Sequence, residues 1–266
     1  MSMSEGRPQP VERFQTDRLA VEIHENRKKL GAAAARDMAA RMRELLSIQP
    51  RVRIVFASAP SQNEFLAELS ATEVIDWSRV EAFHMDEYMG LGPEHPQSFS
   101  KFLVDSLFSR RVPRVFHPLN GLAGDPEEEC RRYTELLKDR PIDIVCAGIG
   151  ENGHLAFNDP PVADFDDPKT VKVVMLTRES REQQVHDGCF PGLEEVPTHA
   201  LTLTVPALLA AANIYCMVPG PTKAAAVKET LMGPVSTACP ATALRNHVDA
   251  IFYLDRDSAA GYLAER

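Results

Sequence analysis

The sequence predicts an α/β fold: a single-domain, doubly wound, mainly parallel sheet with helices on both faces, Rossmann-like in arrangement. Three observations carry this. Short apolar runs of strand length recur near residues 52–57, 80–85, 142–147, 170–176, 199–204, 213–218 and 249–254. Segments of helical pattern lie between them, and strands alternating with helices imply a parallel sheet covered on both faces. No Ser/Gly-rich linker, abrupt change of composition or solenoid-period repeat divides the 266 residues.

Taken in order, residues 1–10 contain two prolines and read as a frayed tail, leaving residues 11–266 as one domain. The Ala-rich stretch Gly31 to Leu46 has strong helical composition, with Arg and Glu on a solvated face. After the apolar run 52–57, Ser61-x-x-Glu64 has the form of a capping box and predicts a helix start. The next strand runs from Trp77 into consecutive acids, with Asp86 at its end. Asp125-Pro-Glu-Glu128 puts proline in the first turn of a helix, and Pro206 and Pro221 can do the same later.

Composition limits the partners. A net charge of −9, from 29 basic and 38 acidic residues, argues against nucleic acid, whose phosphate backbone demands a concentrated basic surface. A small anionic ligand remains allowed, because it needs only a few local cations and N–H donors. Five cysteines, with no C-x-x-C pair, do not form a secreted disulfide framework, and Cys146 and Cys216 lie in apolar runs that suit buried thiols. No leader-like or membrane-length apolar segment is evident, so a soluble cytoplasmic protein with no membrane partner is expected. Assembly into a homo-oligomer is allowed by the sequence and not fixed by it.

The segment Gly148-Ile-Gly-Glu-Asn-Gly-His-Leu-Ala-Phe-Asn-Asp-Pro-Pro161 carries the most chemistry. Its glycines at 148, 150 and 153 satisfy G-x-G-x-x-G, but the fingerprint works only when a helix follows at once. Prolines 160 and 161 prevent a helix of useful length there, so no nicotinamide or flavin cofactor is expected. The glycines instead let backbone pass close to a ligand, Gly153 among them. They deliver His154 and Asp159 to the end of the strand 142–147, where ligands gather in open α/β sheets. Asp86, at the end of another strand, reads as a general base. His84 and Asp86 alternate onto one strand face, yet no His or Cys cluster completes a ligand set, so no metal is expected.

Phe83-His-Met-Asp-Glu-Tyr-Met-Gly-Leu91, Glu94-His-Pro-Gln-Ser98 and Gly150 to Pro160 together resemble the glucosamine-6-phosphate deaminase/isomerase family, relatives of the 6-phosphogluconolactonases. The resemblance covers roughly residue 20 to the C-terminus. Tyr88 after Asp86-Glu87, Ala156-Phe-Asn-Asp-Pro160 after His154, and Pro234-Val-Ser-Thr-Ala-Cys-Pro-Ala241 favour the deaminase branch, which also includes galactosamine-6-phosphate relatives. By that resemblance the chain is expected to be a cofactor-independent aldose-ketose isomerase/deaminase of hydrolase type. It would convert an amino-sugar 6-phosphate, glucosamine 6-phosphate first, to a ketose 6-phosphate and ammonia.

The resemblance also implies roles. His154 exchanges a proton with the ring oxygen, Asp86 takes the proton from carbon 2, and Asp159 orients the histidine. Asn152 stands where the better-known deaminases carry aspartate and offers His154 an amide oxygen. The turn Ser58-Ala59-Pro60-Ser61 stands where a Thr-Gly-Gly-Thr-Pro type loop binds phosphate. Its serines replace both hydroxyls, but Pro60 has no N–H to give. Lys223 matches the family's phosphate lysine, and Arg181 is a second phosphate candidate. Lactone hydrolysis, with His154 activating water, and a non-catalytic sugar-phosphate sensor are the alternatives.

Overall fold

The chain opens with a hairpin, β1 (Glu12–Thr16) and β2 (Leu19–His24), then passes through α1 (Arg27–Ile48), β3 (Val52–Phe56), α2 (Asn63–Ala71) and β4 (Val80–His84). Next come the short β5 (Asp86–Tyr88), α3 (Phe99–Leu103), β6 (Val115–His117), α4 (Pro126–Lys138) and β7 (Ile144–Ala147). A long loop leads to β8 (Val171–Met175), α5 (Arg178–His186), β9 (His199–Leu203), α6 (Val205–Leu209), β10 (Asn213–Val218), α7 (Ala224–Met232), β11 (Ala250–Asp255) and α8 (Ala260–Leu263). These elements belong to a computed structural model that describes residues 6–266.

Eight strands form the main sheet in the order β1-β2-β11-β10-β7-β3-β4-β6. Only the edge pair β1/β2 is antiparallel; every other neighbouring pair is parallel. Alternation along each strand sends side chains into two cores. Val52, Ile54 and Phe56 of β3 join Leu30, Met38 and Leu66 of α1 and α2 on one face. Val55 points the other way, toward Tyr133 of α4, Leu208 of α6 and Val227 of α7. That is the doubly wound, mainly parallel arrangement expected from the strand and helix alternation.

The strand order reverses between β3 and β7: from β3 the chain builds outward through β4 and β6, then returns to the other side of β3 for β7, β10 and β11. Such a reversal splays the loops at the strands' carboxyl ends apart and leaves a crevice between them. The loops after β3, β4, β7 and β10 all meet there.

All seven expected strands form, with two differences of placement. Val171–Met175 and His199–Leu203 pair antiparallel in a separate three-stranded sheet with β5, not in the main sheet. Asp86 therefore does not end β4 but begins β5, and the chain changes sheets at Met85. This breaks the alternation that put His84 and Asp86 on one face. His84 is fully buried, its Nε2 accepts the Leu119 N–H at 2.7 Å, and burial lowers its pKa to about 3. It is a neutral core histidine, away from the crevice. The hairpin, β5 and β6 went unforeseen because each is short or half polar and lacks an apolar run.

Two local expectations are also corrected. Ser61 does not cap α2: Pro60–Gln62 forms a 3-10 turn, Gln62 occupies the cap position without a side-chain bond, and Glu64 pairs with Arg27 instead. Of the tail expected over 1–10, residues 1–5 lie outside the described residues, whereas Arg7 is anchored. Its Nη2 lies 2.6 Å from both Glu22 Oε2 and Asp37 Oδ2, because a carboxylate buried as fully as Glu22 requires a cation. By contrast Asp125 does cap α4, accepting from Glu127 and Glu128 N–H groups.

Glu87, the second of the consecutive acids, faces away from Asp86 and fixes the connection to α3. Its buried carboxylate accepts from Tyr88 N, Phe99 N and Ser100 N, each at 3.0 Å, and from Ser98 Oγ at 2.9 Å. Glu87→Ala leaves those donors unsatisfied and is expected to lower the unfolding free energy by about 2–4 kcal/mol, measured by urea denaturation. Limited proteolysis should then cut first within residues 89–98.

Candidate active site

The crevice encloses a cavity of about 260 Å³, a volume suited to one small molecule. His154 reaches it from the loop after β7, and the local fold explains how. Gly150 N–H donates to His154 O at 3.0 Å and Gly153 N–H to Gly150 O at 3.1 Å, so the loop doubles back on itself. The imidazole lies flat over Gly150, where a β-carbon would come within 2.1 Å of the ring. Alanine at 150 would evict the histidine. No helix follows the three glycines; the next regular element is β8. The loop's far end is pinned by Asn158, whose Nδ2 donates to Leu155 O and Leu203 O at 2.8 Å.

Behind the ring, three oxygens converge on His154 Nδ1: Asn152 Oδ1 at 2.8 Å, Asp159 Oδ1 at 3.1 Å and Ser180 Oγ at 3.3 Å. An amide oxygen and a carboxylate oxygen can only accept, so Nδ1 carries the proton. Nε2 has no partner among the described residues, and the ring lines the cavity. Asn152 also donates through Nδ2 to Asp159 Oδ1 at 2.8 Å. Aspartate in its place would set two carboxylates against each other, which gives a physical reason for the amide.

Ser180, from α5, lies 2.7 and 2.8 Å from the two oxygens of Asp159 and donates to that carboxylate. Burial of Asp159 favours its neutral acid, but the hydrogen bonds from His154, Asn152 and Ser180, with the His154 charge, overcome this and bring its pKa down to about 2. Sequence reasoning missed Ser180, which lies 21 residues from Asp159 along the chain. Nothing in its local pattern separates it from an ordinary helix serine.

Asp86 lines the cavity beside which His154 sits, and its condition is the opposite of that of Asp159. It is 7% exposed, and no described residue donates to its carboxylate. Burial pushes its pKa well above the usual carboxylate range, and the neighbouring charge of Glu87 adds to the shift.

The other candidates divide clearly. Ser58, Ala59, Pro60 and Ser61 all line the cavity, and so does Lys223. Ser58 Oγ is buried without a partner. Lys223, in the turn before α7, is 6% exposed, forms no ion pair or hydrogen bond with a described residue, and has its pKa lowered by burial, opposed by the charges of Asp187 and Glu151. A buried cation and a buried hydroxyl lining one cavity, neither with a partner among the described residues, make that cavity receptive to an anion.

Arg181 is not part of it. Its guanidinium turns away to the carbonyls of Leu193 and Val196, at 2.6 and 3.0 Å, and braces the turn before β9. Gln183, Gln184 and Asp187, from the same helix and its end, line the cavity instead. Gly153 does not touch the cavity either. Its φ of +80° makes the turn that presents His154, and its missing β-carbon clears Cys239 Sγ. Arg27 lines the opening but is held by Glu64 at 2.5 Å. Among the described residues no group of three or more His, Cys, Asp or Glu side chains is arranged to hold a metal ion, and no helix is long and apolar enough to cross a membrane.

The profile of the family described as glucosamine-6-phosphate isomerases/6-phosphogluconolactonase matches residues 25–252. A glucosamine-6-phosphate deaminase from Listeria monocytogenes is 39% identical over 204 residues, 77% of this chain and 85% of that one. One from Bacillus thuringiensis is 35% identical over 81% of this chain and 80% of its own. The solved structure of a monomeric glucosamine-6-phosphate deaminase superposes with a TM-score of 0.84 at 30% identity, covering 91% of this chain and 99% of that one. The 6-phosphogluconolactonase from Trypanosoma brucei, 17% identical with a TM-score of 0.76 over 94% of this chain and 99% of its own, shares the fold.

The condition of Asp86 has a measurable consequence. A carboxyl whose folded pKa is raised stabilises the protein most below its ordinary value of 3.8, and that contribution is lost as pH rises toward the folded value. Asp86→Asn removes the buried charge while keeping the shape. It should raise Tm at pH 7, on the order of 2–4 °C per kcal/mol relieved, with the gain shrinking as pH approaches 4. Calorimetry across that range gives the test; an unchanged or lower Tm at pH 7 contradicts the buried-charge account.

Proposed function

Because the chain belongs to the glucosamine-6-phosphate isomerase/6-phosphogluconolactonase family, we propose that its crevice isomerises and deaminates glucosamine 6-phosphate to fructose 6-phosphate and ammonia. The reaction takes up one water: the aldose opens, a proton moves from carbon 2 to carbon 1, and water replaces nitrogen at carbon 2. The observation that carries the proposal is that Asp86, buried and without a donor among the described residues, lines the same cavity as His154, whose Nδ1 side is held by the buried Asp159.

His154, its tautomer set by Asn152 and Asp159, presents Nε2 to exchange a proton with the ring oxygen and open the pyranose. Asp159 stays ionised throughout and holds the ring; Ser180 and Asn152 hold Asp159. Asp86, poorly solvated and without donors, is a stronger base than an exposed carboxylate and takes the carbon 2 proton. Two carboxyls with separated pKa values and different tasks are a common solution for proton transfers at neutral pH. Lys223 and Ser58 receive the phosphate, which neutralises the buried ammonium and satisfies the orphan hydroxyl. Pro60 contributes shape there and no N–H.

Five free thiols suit a reducing compartment, so cytoplasmic action belongs to the same proposal. Lactone hydrolysis would leave Asp86 without a proton to abstract, and the relatives of 35–39% identity named above are deaminases.

The proposal is tested with glucosamine 6-phosphate, galactosamine 6-phosphate and 6-phosphogluconolactone, following ammonia, ketose phosphate and lactone loss. Ammonia and ketose phosphate in equal amounts are expected from the first, whereas lactone loss alone would replace deamination with hydrolysis. Asp86→Asn should lower kcat by about 100-fold to 10,000-fold while substrate still binds. Since Asp86 must be ionised to act, the acid limb of wild-type kcat should lie above the ordinary carboxylate range. Lys223→Ala should raise KM for the phosphorylated sugar by about tenfold to 100-fold, the loss of one charge-assisted contact worth roughly 1.5–3 kcal/mol. An unchanged KM would move the phosphate elsewhere.

A further inference from the structure

Lys223 has no side-chain partner among the described residues, so the place of its ammonium is set by the backbone that carries it. That backbone is Pro219-Gly-Pro-Thr-Lys223, all of which lines the cavity. The segment turns sharply. Gly220 has a φ of +94°, Pro221–Lys223 forms a 3-10 turn, and Lys223 N–H donates to Gly220 O at 3.3 Å.

Little holds this turn in place. Pro219 and Pro221 have no N–H, so Gly220 N–H is the one backbone donor between Val218 and Thr222. Packing does not grip Gly220 either, since a β-carbon built there would meet nothing within 4 Å. Its N–H goes to Asp255, lying 3.1 Å from each carboxylate oxygen. A bond to an ionised acceptor is about twice as strong as one between neutral groups.

Asp255 is placed to act as an anchor. It ends β11, is 2% exposed, and follows the stretch paired with β10, the strand from which the turn emerges. Ser258 N–H donates to its Oδ1 at 2.8 Å, and Asp255 N–H donates back to Ser258 Oγ at 3.1 Å, which fixes the direction of the carboxylate. Ser258 is itself fully buried. Asp255 does not line the cavity, so any effect it has there passes through the backbone.

We propose that Asp255 is a positioning residue for anion binding: through Gly220 N–H it holds the turn that sets the Lys223 ammonium at the cavity. This rests on the proposed function only in that Lys223 receives the phosphate.

The test reads binding of inorganic phosphate by titration calorimetry and turnover of glucosamine 6-phosphate by ammonia release. Asp255→Asn keeps the size of the side chain but puts an amide NH2 where one oxygen accepted. It should weaken phosphate binding and raise KM, each about threefold to tenfold, with kcat at saturation retained. In the Lys223→Ala background the same substitution should leave KM unchanged, because a turn without the ammonium has none to misplace. Gly220→Ala perturbs the turn from its other end: space is open at that position and only the positive φ is disfavoured, so the same rise in KM and the same silence in Lys223→Ala are expected. If Asp255→Asn does not fold, hydrogen exchange in the wild type decides, with Gly220 N–H expected to exchange about tenfold more slowly than the unbonded Thr222 N–H. The proposal is overturned if kcat falls with KM unchanged, if the effects of Asp255→Asn and Lys223→Ala on KM multiply, if Gly220 exchanges as fast as Thr222, or if Lys223→Ala binds phosphate as well as wild type. Absence of ammonia release while phosphate binding still depends on Lys223 strikes the deaminase assignment alone, and calorimetry still decides Asp255.

Discussion

The contact between Asp159 and His154 Nδ1 is what the rest of the crevice is arranged around. A carboxylate 1% exposed is stable as an anion only when donors surround it, and here they come from three places: the loop's own Asn152, the imidazole, and Ser180 on α5. Each donor constrains something else. Asn152 fixes the turn that needs Gly153, the imidazole must lie over Gly150, and Ser180 brings α5 down as one wall of the cavity. The charge is satisfied on its protein side, and His154 Nε2, with no partner among the described residues, is the end of the arrangement left to the cavity.

The other polar groups of the cavity are in deficit. Asp86, Lys223 and Ser58 line it, are buried and have no side-chain partner among the described residues, each of which costs folding free energy that a well-paired surface group would not. The two large cores on either side of the main sheet and the anchored Glu87 offset that cost. A ligand with an anion at one end and an acidic C–H at the other supplies what these groups lack. Protein stability and ligand affinity are thereby opposed at the same side chains, a pattern expected where pre-organised groups await charge that only the ligand brings.

The topology explains why these residues meet. The strand order reverses between β3 and β7, and the turn Ser58–Ser61 follows β3 while the histidine loop follows β7. Asp86 joins them because the chain leaves the main sheet at Met85 and pairs with β9 instead. That change of sheet turns a strand-end residue into part of the cavity lining.

By itself the sequence determined the alternation of strands and helices and the loop after residue 147, since apolar runs, glycine spacing and proline placement are local signals. It also singled out Asp86, His154 and Lys223, which line one cavity, and Asn152 and Asp159, which contact His154 Nδ1, because their neighbours form motifs. Only the tertiary structure decided that Arg181 braces a turn, that Gly153 shapes the loop without touching the cavity, that Ser61 does not cap α2, and that His84 belongs to the core. It alone brought in Ser180. The physical reason is distance along the chain: Ser180 meets Asp159 across 21 residues, and a polar side chain's partner is set by which elements pack together, which no local pattern encodes.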